Sequence, residues 1–118
     1  MANYLIIGAS SGIGKTLSNQ LAEAGHLVFG TFNQNKMTPD HPNIKYFNYN
    51  ALEEDLSLES LPDALTGIIY CPGSINLRPF ERIKPADFIN DFNLQVVGAI
   101  KTIQAVIPKL KNSEHAAI

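Results

Sequence analysis

The residues with the clearest capacity for chemistry lie in the run GASSGIGKT, from Gly8 to Thr16. Gly8, Gly12 and Gly14 have the spacing G-x-x-x-G-x-G. Glycine tolerates positive φ and lets a ligand approach bare backbone N–H groups, so a phosphate can rest against such a turn. Leu5, Ile6 and Ile7 precede it as a short apolar run, the pattern of a buried parallel strand. After it, Ile13, Leu17, Leu21 and Ala24 recur every three or four residues, which predicts one apolar face of a helix ending at Gly25. The N-terminus of that helix would aim free N–H groups and the positive end of its dipole at the loop. With Leu27, Val28 and Phe29 as a second strand, the unit is a pyrophosphate site.

Three readings of the loop compete. One is a glycine-rich turn with no ligand. The second is a P-loop over Ala9–Thr16, in which Lys15 would reach phosphates and Thr16 would hold Mg²⁺. The third is the dinucleotide loop of a doubly wound fold, although the usual G-x-G-x-x-G is not met. Spacing alone leaves the last two open. A P-loop NTPase wants an apolar strand ending in Asp for its metal. The later apolar runs end in FNYN (Phe47 to Asn50) and YCPG (Tyr70 to Gly73), which offer no Asp.

GASSGIG at Gly8 to Gly14 resembles the T-G-x-x-x-G-I-G loop of the short-chain dehydrogenase/reductases, with Ile7 where that family usually has Thr. Its N-N-A-G mark is matched only at Gly73, in Tyr70-Cys71-Pro72-Gly73. Asn93-Leu94-Gln95-Val96-Val97-Gly98 is similar to its N-l-x-x-x-G helix segment. The resemblance implies a Rossmann-type α/β fold, a doubly wound parallel sheet, with residues 1–118 forming one incomplete NAD(P)-binding domain that stops after the fourth strand and the helix that follows. It implies hydride transfer between a nicotinamide cofactor and a small carbonyl or alcohol substrate. The cofactor would contact Gly8, Ser10, Ser11, Gly12, Ile13 and Gly14, then Thr31, Phe32 and Asn33, then Asn50 and Ala51 (or Leu52) beside the adenine, and Cys71, Pro72 and Gly73. Of the family's catalytic tetrad only Asn93 carries over. Four residues after Tyr4, Tyr46, Tyr49 and Tyr70 stand Gly8, Asn50, Glu53 and Ser74, so no Tyr-x-x-x-Lys occurs. The chain is therefore expected to be inactive alone. A non-catalytic dinucleotide-binding module is the alternative reading, and a small P-loop NTPase the second.

The choice of cofactor turns on the end of the second strand. NAD calls for a carboxylate roughly 20 residues past the loop to hold the ribose. That position is Thr31 or Phe32, and no Asp or Glu lies between Gly25 and Met37. The expectation is NADP rather than NAD, with Lys15 and Lys36 as nearby cations and Thr31 and Asn33 as hydrogen-bond donors. Asn50 stands where the family usually has Asp. As a thiol, Cys71 is read as inert, because it sits on an apolar strand. His26, His41 and His115 have no metal-ligand spacing, and no metal is expected.

The elements that must position these residues follow from the rest of the pattern. With 118 residues and 45% of them hydrophobic, one domain with a real core is expected. A net charge of −2 and the lack of a basic run argue against a nucleic-acid partner. One cysteine suits a reducing, cytoplasmic setting; no secretory signal or bilayer-spanning run is read. Strands are predicted at Ile44 to Tyr49 and at Gly67 to Cys71. A helical turn or two, broken at Pro62, is predicted between Ser57 and Leu65. A loop spans Ser74 to Lys84, a long helix opens at Pro85 to Phe88, and a strand begins at Ala116 to Ile118. Asn33 to Asn43, with Pro39 and Pro42, reads as a loop. Ile89, Phe92, Val96, Ile100, Ile103, Ile107 and Leu110 form an apolar stripe expected to pack on the sheet, and the family resemblance implies that part of it lies at a subunit interface. The resemblance implies a sheet order of 3-2-1-4-5-6-7, in which the far edge of strand four would here be nearly bare, so either a homo-oligomer or a longer polypeptide is expected.

Overall fold

Asn3–Ile7 form β1, the strand on which the rest is assembled. Its alternation is two-sided: Leu5 and Ile7 enter one core cluster and Ile6 the other, as a strand covered on both faces requires. The computed structural model describes residues 2–33, 41–73 and 78–118. Within them, β1 is followed by α1 (Gly12–Glu23), β2 (Leu27–Phe32), β3 (Ile44–Asn48) and β4 (Gly67–Tyr70). All strands are parallel, in the order β3-β2-β1-β4. A parallel neighbour needs a crossover connection, which α1 supplies between β1 and β2 and a non-helical segment, residues 49–66, supplies between β3 and β4. Ala117 makes an isolated parallel bridge to Gly67 and extends the sheet past β4, where the start of a strand was expected. The Ile68 N–H donates to its carbonyl at 3.1 Å.

After a 3-10 turn at Phe80–Arg82, one long helical run crosses the sheet. It comprises α2 (Pro85–Phe92), a π turn (Asn93–Val97) and α3 (Gly98–Leu110). Proline at the first position suits its start, and the Lys84 N–H donates to the Asp87 carboxylate at 3.1 Å.

The expected buried faces of both helices need correction. The face of α1 against the sheet is Gly14, Ser18 and Ala22, with Leu17 and Leu21 only flanking it, and Ile13 is 80% exposed. In the long helix the expected stripe holds at its C-terminal end, where Leu110 is buried and Ile103 and Ile107 pack against the core, but Ile89, Phe92, Val96 and Ile100 are exposed and the rest of the buried row is Gly98, Thr102 and Val106. Small residues let the helix axes approach the sheet closely. Their hydroxyls are satisfied within the helix: Ser18 Oγ donates to the Gly14 carbonyl and Thr102 Oγ1 to the Gly98 carbonyl, each at 2.7 Å.

No helix forms between Ser57 and Leu65. Leu56, Leu61 and Leu65 are buried at a spacing that no helix face provides, and Pro62 lies between them. The segment is held from α3 instead. The Leu65 N–H donates to the Lys109 carbonyl at 3.1 Å, and Lys109 Nζ donates to the Pro62 carbonyl at 2.9 Å. β3 ends at Asn48 and β4 at Tyr70, one residue short of the expected bounds. Residues 34–40 of the loop expected at Asn33 to Asn43, with Lys36, and residues 74–77 of the one expected at Ser74 to Lys84 lie outside the described residues, and the remainder of the latter holds the 3-10 turn at Phe80–Arg82.

Candidate functional site

β1 ends at Ile7, and the chain must turn sharply to launch α1. Gly8 makes the turn at φ +81°, and Gly12 takes φ +57° at the first position of α1. The loop is tied to the end of β2. The Ala9 N–H donates to the Thr31 carbonyl at 2.8 Å, and the Gly8 N–H donates to Thr31 Oγ1 at 3.1 Å. Thr31 is buried, so its hydroxyl serves the loop. Thr31→Val should cost about 1–2 kcal/mol, because it leaves a partly buried N–H without its acceptor. Urea denaturation checks this: Thr31→Ser should keep the parent midpoint, and an unshifted midpoint in Thr31→Val would refute the role.

Ser11 caps α1 in an extended conformation (φ −158°, ψ 167°), and its side chain makes no capping hydrogen bond. The first N–H groups of α1 are therefore left for another acceptor, and a helix N-terminus favours an anion there. Nothing lies within 4 Å of where a Cβ on Gly12 would stand, so the approach to these groups is open.

Beside the loop, at the carboxyl ends of the strands, is a cavity of about 230 Å³. Its wall brings together Gly8, Ser10, Thr31, Asn33, Asn50, Ala51, Leu52, Pro72 and Gly73 from four segments of chain. Ser11, Gly12, Ile13, Gly14, Phe32, Cys71 and Asn93 are not in that wall. Ser11 to Gly14 open α1. Phe32 points away from the Thr31–Asn33 side, as strand alternation dictates. Cys71 packs with Ile6, Ala9 and Val28 on the α1 side, and burial raises its thiol pKa, in keeping with an inert thiol. Asn93 is exposed at the start of the π turn, and its carbonyl accepts the Gly98 N–H. Ile7, Tyr49 and Leu94 also line the cavity, and sequence reasoning missed them in this role. The only signals were adjacency: Tyr49 precedes Asn50, and Leu94 follows Asn93.

Two phenols, Tyr49 in the cavity wall and Tyr70 at the end of β4, reach the long helix. Tyr49 and Thr102 share a hydroxyl–hydroxyl hydrogen bond of 2.7 Å, and the Tyr70 hydroxyl donates to the Leu94 carbonyl at 2.5 Å. Burial, with a smaller contribution from Tyr49, pushes the Tyr70 phenol from 10.0 up to about 12. Its neutral form is therefore favoured by folding. The stability this contributes is complete below pH 10 and is lost as pH rises through about 12. Thermal melts across this range should show a steep alkaline loss for the parent and a shallower one for Tyr70→Phe. Equal slopes would contradict the assignment.

Among the described residues, no group of three His, Cys, Asp or Glu comes together to hold a metal, and no helix is long and apolar enough to cross a membrane.

No protein-family model matches this sequence, and curated proteins give no match. Solved structures do match. The chain is similar to serine dehydrogenase from Escherichia coli at 17% identity, covering 97% of this chain and 58% of that one with a TM-score of 0.83. It is similar to a short-chain dehydrogenase/reductase from Burkholderia multivorans with bound NADP, at 15% identity over 92% of this chain and 54% of that one, TM-score 0.78. This is the short-chain dehydrogenase/reductase fold. The enzyme WbmH from Bordetella bronchiseptica, in complex with NAD⁺, also matches at 24% identity, covering 90% of this chain and 35% of that one, TM-score 0.65. The chain spans about half the length of the short-chain dehydrogenase/reductase structures it matches.

Proposed function

We propose that this chain is the cofactor-binding part of an NADP(H)-dependent oxidoreductase of the short-chain dehydrogenase/reductase family. The observation that carries the reading is the cavity at the strand ends, flanked by the Gly8–Gly14 loop and the uncapped N-terminus of α1. Ligands of open α/β sheets bind in this crevice, outside the carboxyl ends of the strands. The N–H groups of Ser10 to Gly14 would hold the pyrophosphate. Asn33 would face the 2′-substituent of the ribose. Asn50, Ala51 and Leu52 would enclose the adenine, with an amide that both donates and accepts. When bound, the nicotinamide exchanges hydride with a carbonyl or alcohol carbon of a small substrate. Asn93 is the residue here proposed for the catalytic group. The lack of Asp or Glu between Gly25 and Met37 supports NADP over NAD, since a carboxylate would repel a 2′-phosphate. The exposed row of Phe88, Ile89, Phe92, Val96, Val97 and Ile100 supports a homo-oligomer.

Titration calorimetry with NADPH, NADH and Mg-ATP tests the binding reading. NADPH should bind tightest, and tighter binding of Mg-ATP would overturn it in favour of an NTPase. NADPH oxidation with a panel of ketones and aldehydes then tests the enzyme: binding with no turnover in the full-length protein would favour a non-catalytic module.

A further inference from the structure

We propose that Tyr70 is a positioning residue of the pocket: its hydroxyl, bonded to the Leu94 carbonyl, sets the π turn that keeps Leu94 in the cavity wall. The ligand named in the test rests on the dinucleotide reading above; the geometry does not.

The argument begins with one substituted hydrogen bond. In an uninterrupted α-helix the Gly98 N–H would donate to the Leu94 carbonyl, four residues back. Here it donates to the Asn93 carbonyl, five back, and the Leu94 carbonyl accepts the Tyr70 hydroxyl instead. A side chain has entered the ladder and widened one turn, a recognised cause of π geometry. Gly98 is what admits it. A Cβ at Gly98 would stand 2.6 Å from the Tyr70 hydroxyl oxygen and 3.3 Å from Ala51 Cβ.

The two halves of the long helix are held unequally. α3 buries Gly98, Thr102, Val106 and Leu110, and Thr102 is bonded to Tyr49. α2 buries none of its residues. The joint between them is thus the point at which the sheet can dictate where the weakly held half goes. Tyr70 is rigid enough for that, since it ends β4 and pairs in register with Ile7 of β1. Leu94 lies within the π turn and lines the same cavity as Tyr49, Ala51, Pro72 and Gly73. Loss of the phenol leaves the Leu94 carbonyl free to take back the Gly98 N–H. The turn then tightens, and Leu94 moves relative to the anchored α3.

The experiment uses the full chain and four variants: Tyr70→Phe, Leu94→Ala, the two combined, and Tyr70→Phe with Gly98→Ala. Without ligand, carbonyl ¹³C shifts of Asn93 and Leu94 should move in Tyr70→Phe toward α-helical hydrogen bonding. NADPH affinity by calorimetry should fall about five-fold, the order expected for one hydrogen bond. In the Leu94→Ala background the same substitution should change affinity by less than about two-fold, which is the signature of one residue acting through the other. In the Gly98→Ala combination the methyl occupies space left by the hydroxyl. Its melting temperature should recover toward the parent while its affinity stays low, which separates positioning from loss of stability. Unmoved ¹³C shifts in Tyr70→Phe, unchanged affinity, or an equal loss in both backgrounds would each overturn the proposal. If the parent itself binds no NADPH, the cofactor reading fails, and the ligand-free shifts still decide the role of Tyr70 in the π turn.

Discussion

Replacing Gly14 by valine should abolish dinucleotide binding and unsettle the first strand–helix unit. A Cβ at Gly14 would stand 2.0 Å from the Gly8 carbonyl oxygen and 2.9 Å from its carbon. Both are backbone atoms of a turn that is itself tied to Thr31, so neither can swing aside as a side chain would. The N-terminus of α1 must retreat from β1, and the N–H groups that face the proposed pyrophosphate retreat with it. The expected loss is at least 100-fold in NADPH affinity, about 2.7 kcal/mol, together with a destabilisation of about 3 kcal/mol. Even alanine should be poorly tolerated. Gly12→Ala is the contrasting control. Open space surrounds that position, and the cost comes only from a φ of +57°, on the order of 1 kcal/mol. Calorimetry and urea denaturation on both variants test the ranking. Parent-like affinity in Gly14→Val would remove the loop from the site, and a larger loss of stability in Gly12→Ala would reverse the packing argument. A glycine in such a loop suggests room kept for a phosphate; at Gly14 the room is taken by the chain itself.

Asn33→Asp should turn the preference from NADPH to NADH. Alternation along the end of β2 puts Thr31 and Asn33 on the cavity side and Phe32 on the other. The Thr31 hydroxyl is committed to Gly8, which leaves Asn33 as the exposed polar side chain there. A carboxylate at this position would repel a 2′-phosphate and accept hydrogen bonds from a free ribose hydroxyl. Both effects favour NADH, and discrimination gains most when repulsion and attraction combine. The expected swing in the ratio of dissociation constants is on the order of 10- to 100-fold, about 1.4–2.7 kcal/mol. Phe32→Asp, facing away from the cavity, should shift the ratio less. A parent that binds NADH more tightly than NADPH, or an unchanged ratio in Asn33→Asp, would contradict the assignment.

The sequence by itself determined the order of strands and helices along the chain, their parallel direction and the location of the loop, whereas the order of strands in the sheet followed only from the family resemblance. Apolar runs bounded by Gly8 and Gly25, and a helix between them, leave little choice but a parallel strand–helix–strand unit, because period and breaker residues are local properties. The same is true of the long helix opened by Pro85, and of the gathering of Gly8, Asn50 and Gly73 at one end of the sheet once the strands run parallel. Tertiary structure alone decided which faces are used. Periodicity weighs side chains by hydrophobicity, so it selected Ile13 and the row from Ile89 to Ile100. The sheet selected Gly14, Ser18 and Ala22, and then Gly98, Thr102 and Val106, because close approach depends on size and on hydroxyls that can bond back to their own helix. The segment from Ser57 to Leu65 followed the same rule: docking of Leu56, Leu61 and Leu65 outweighed its local helical tendency. The π turn was illegible for a deeper reason. It exists because a phenol from Tyr70 enters a helix 24 residues further along the chain, and no local pattern records which distant side chain will reach a given carbonyl.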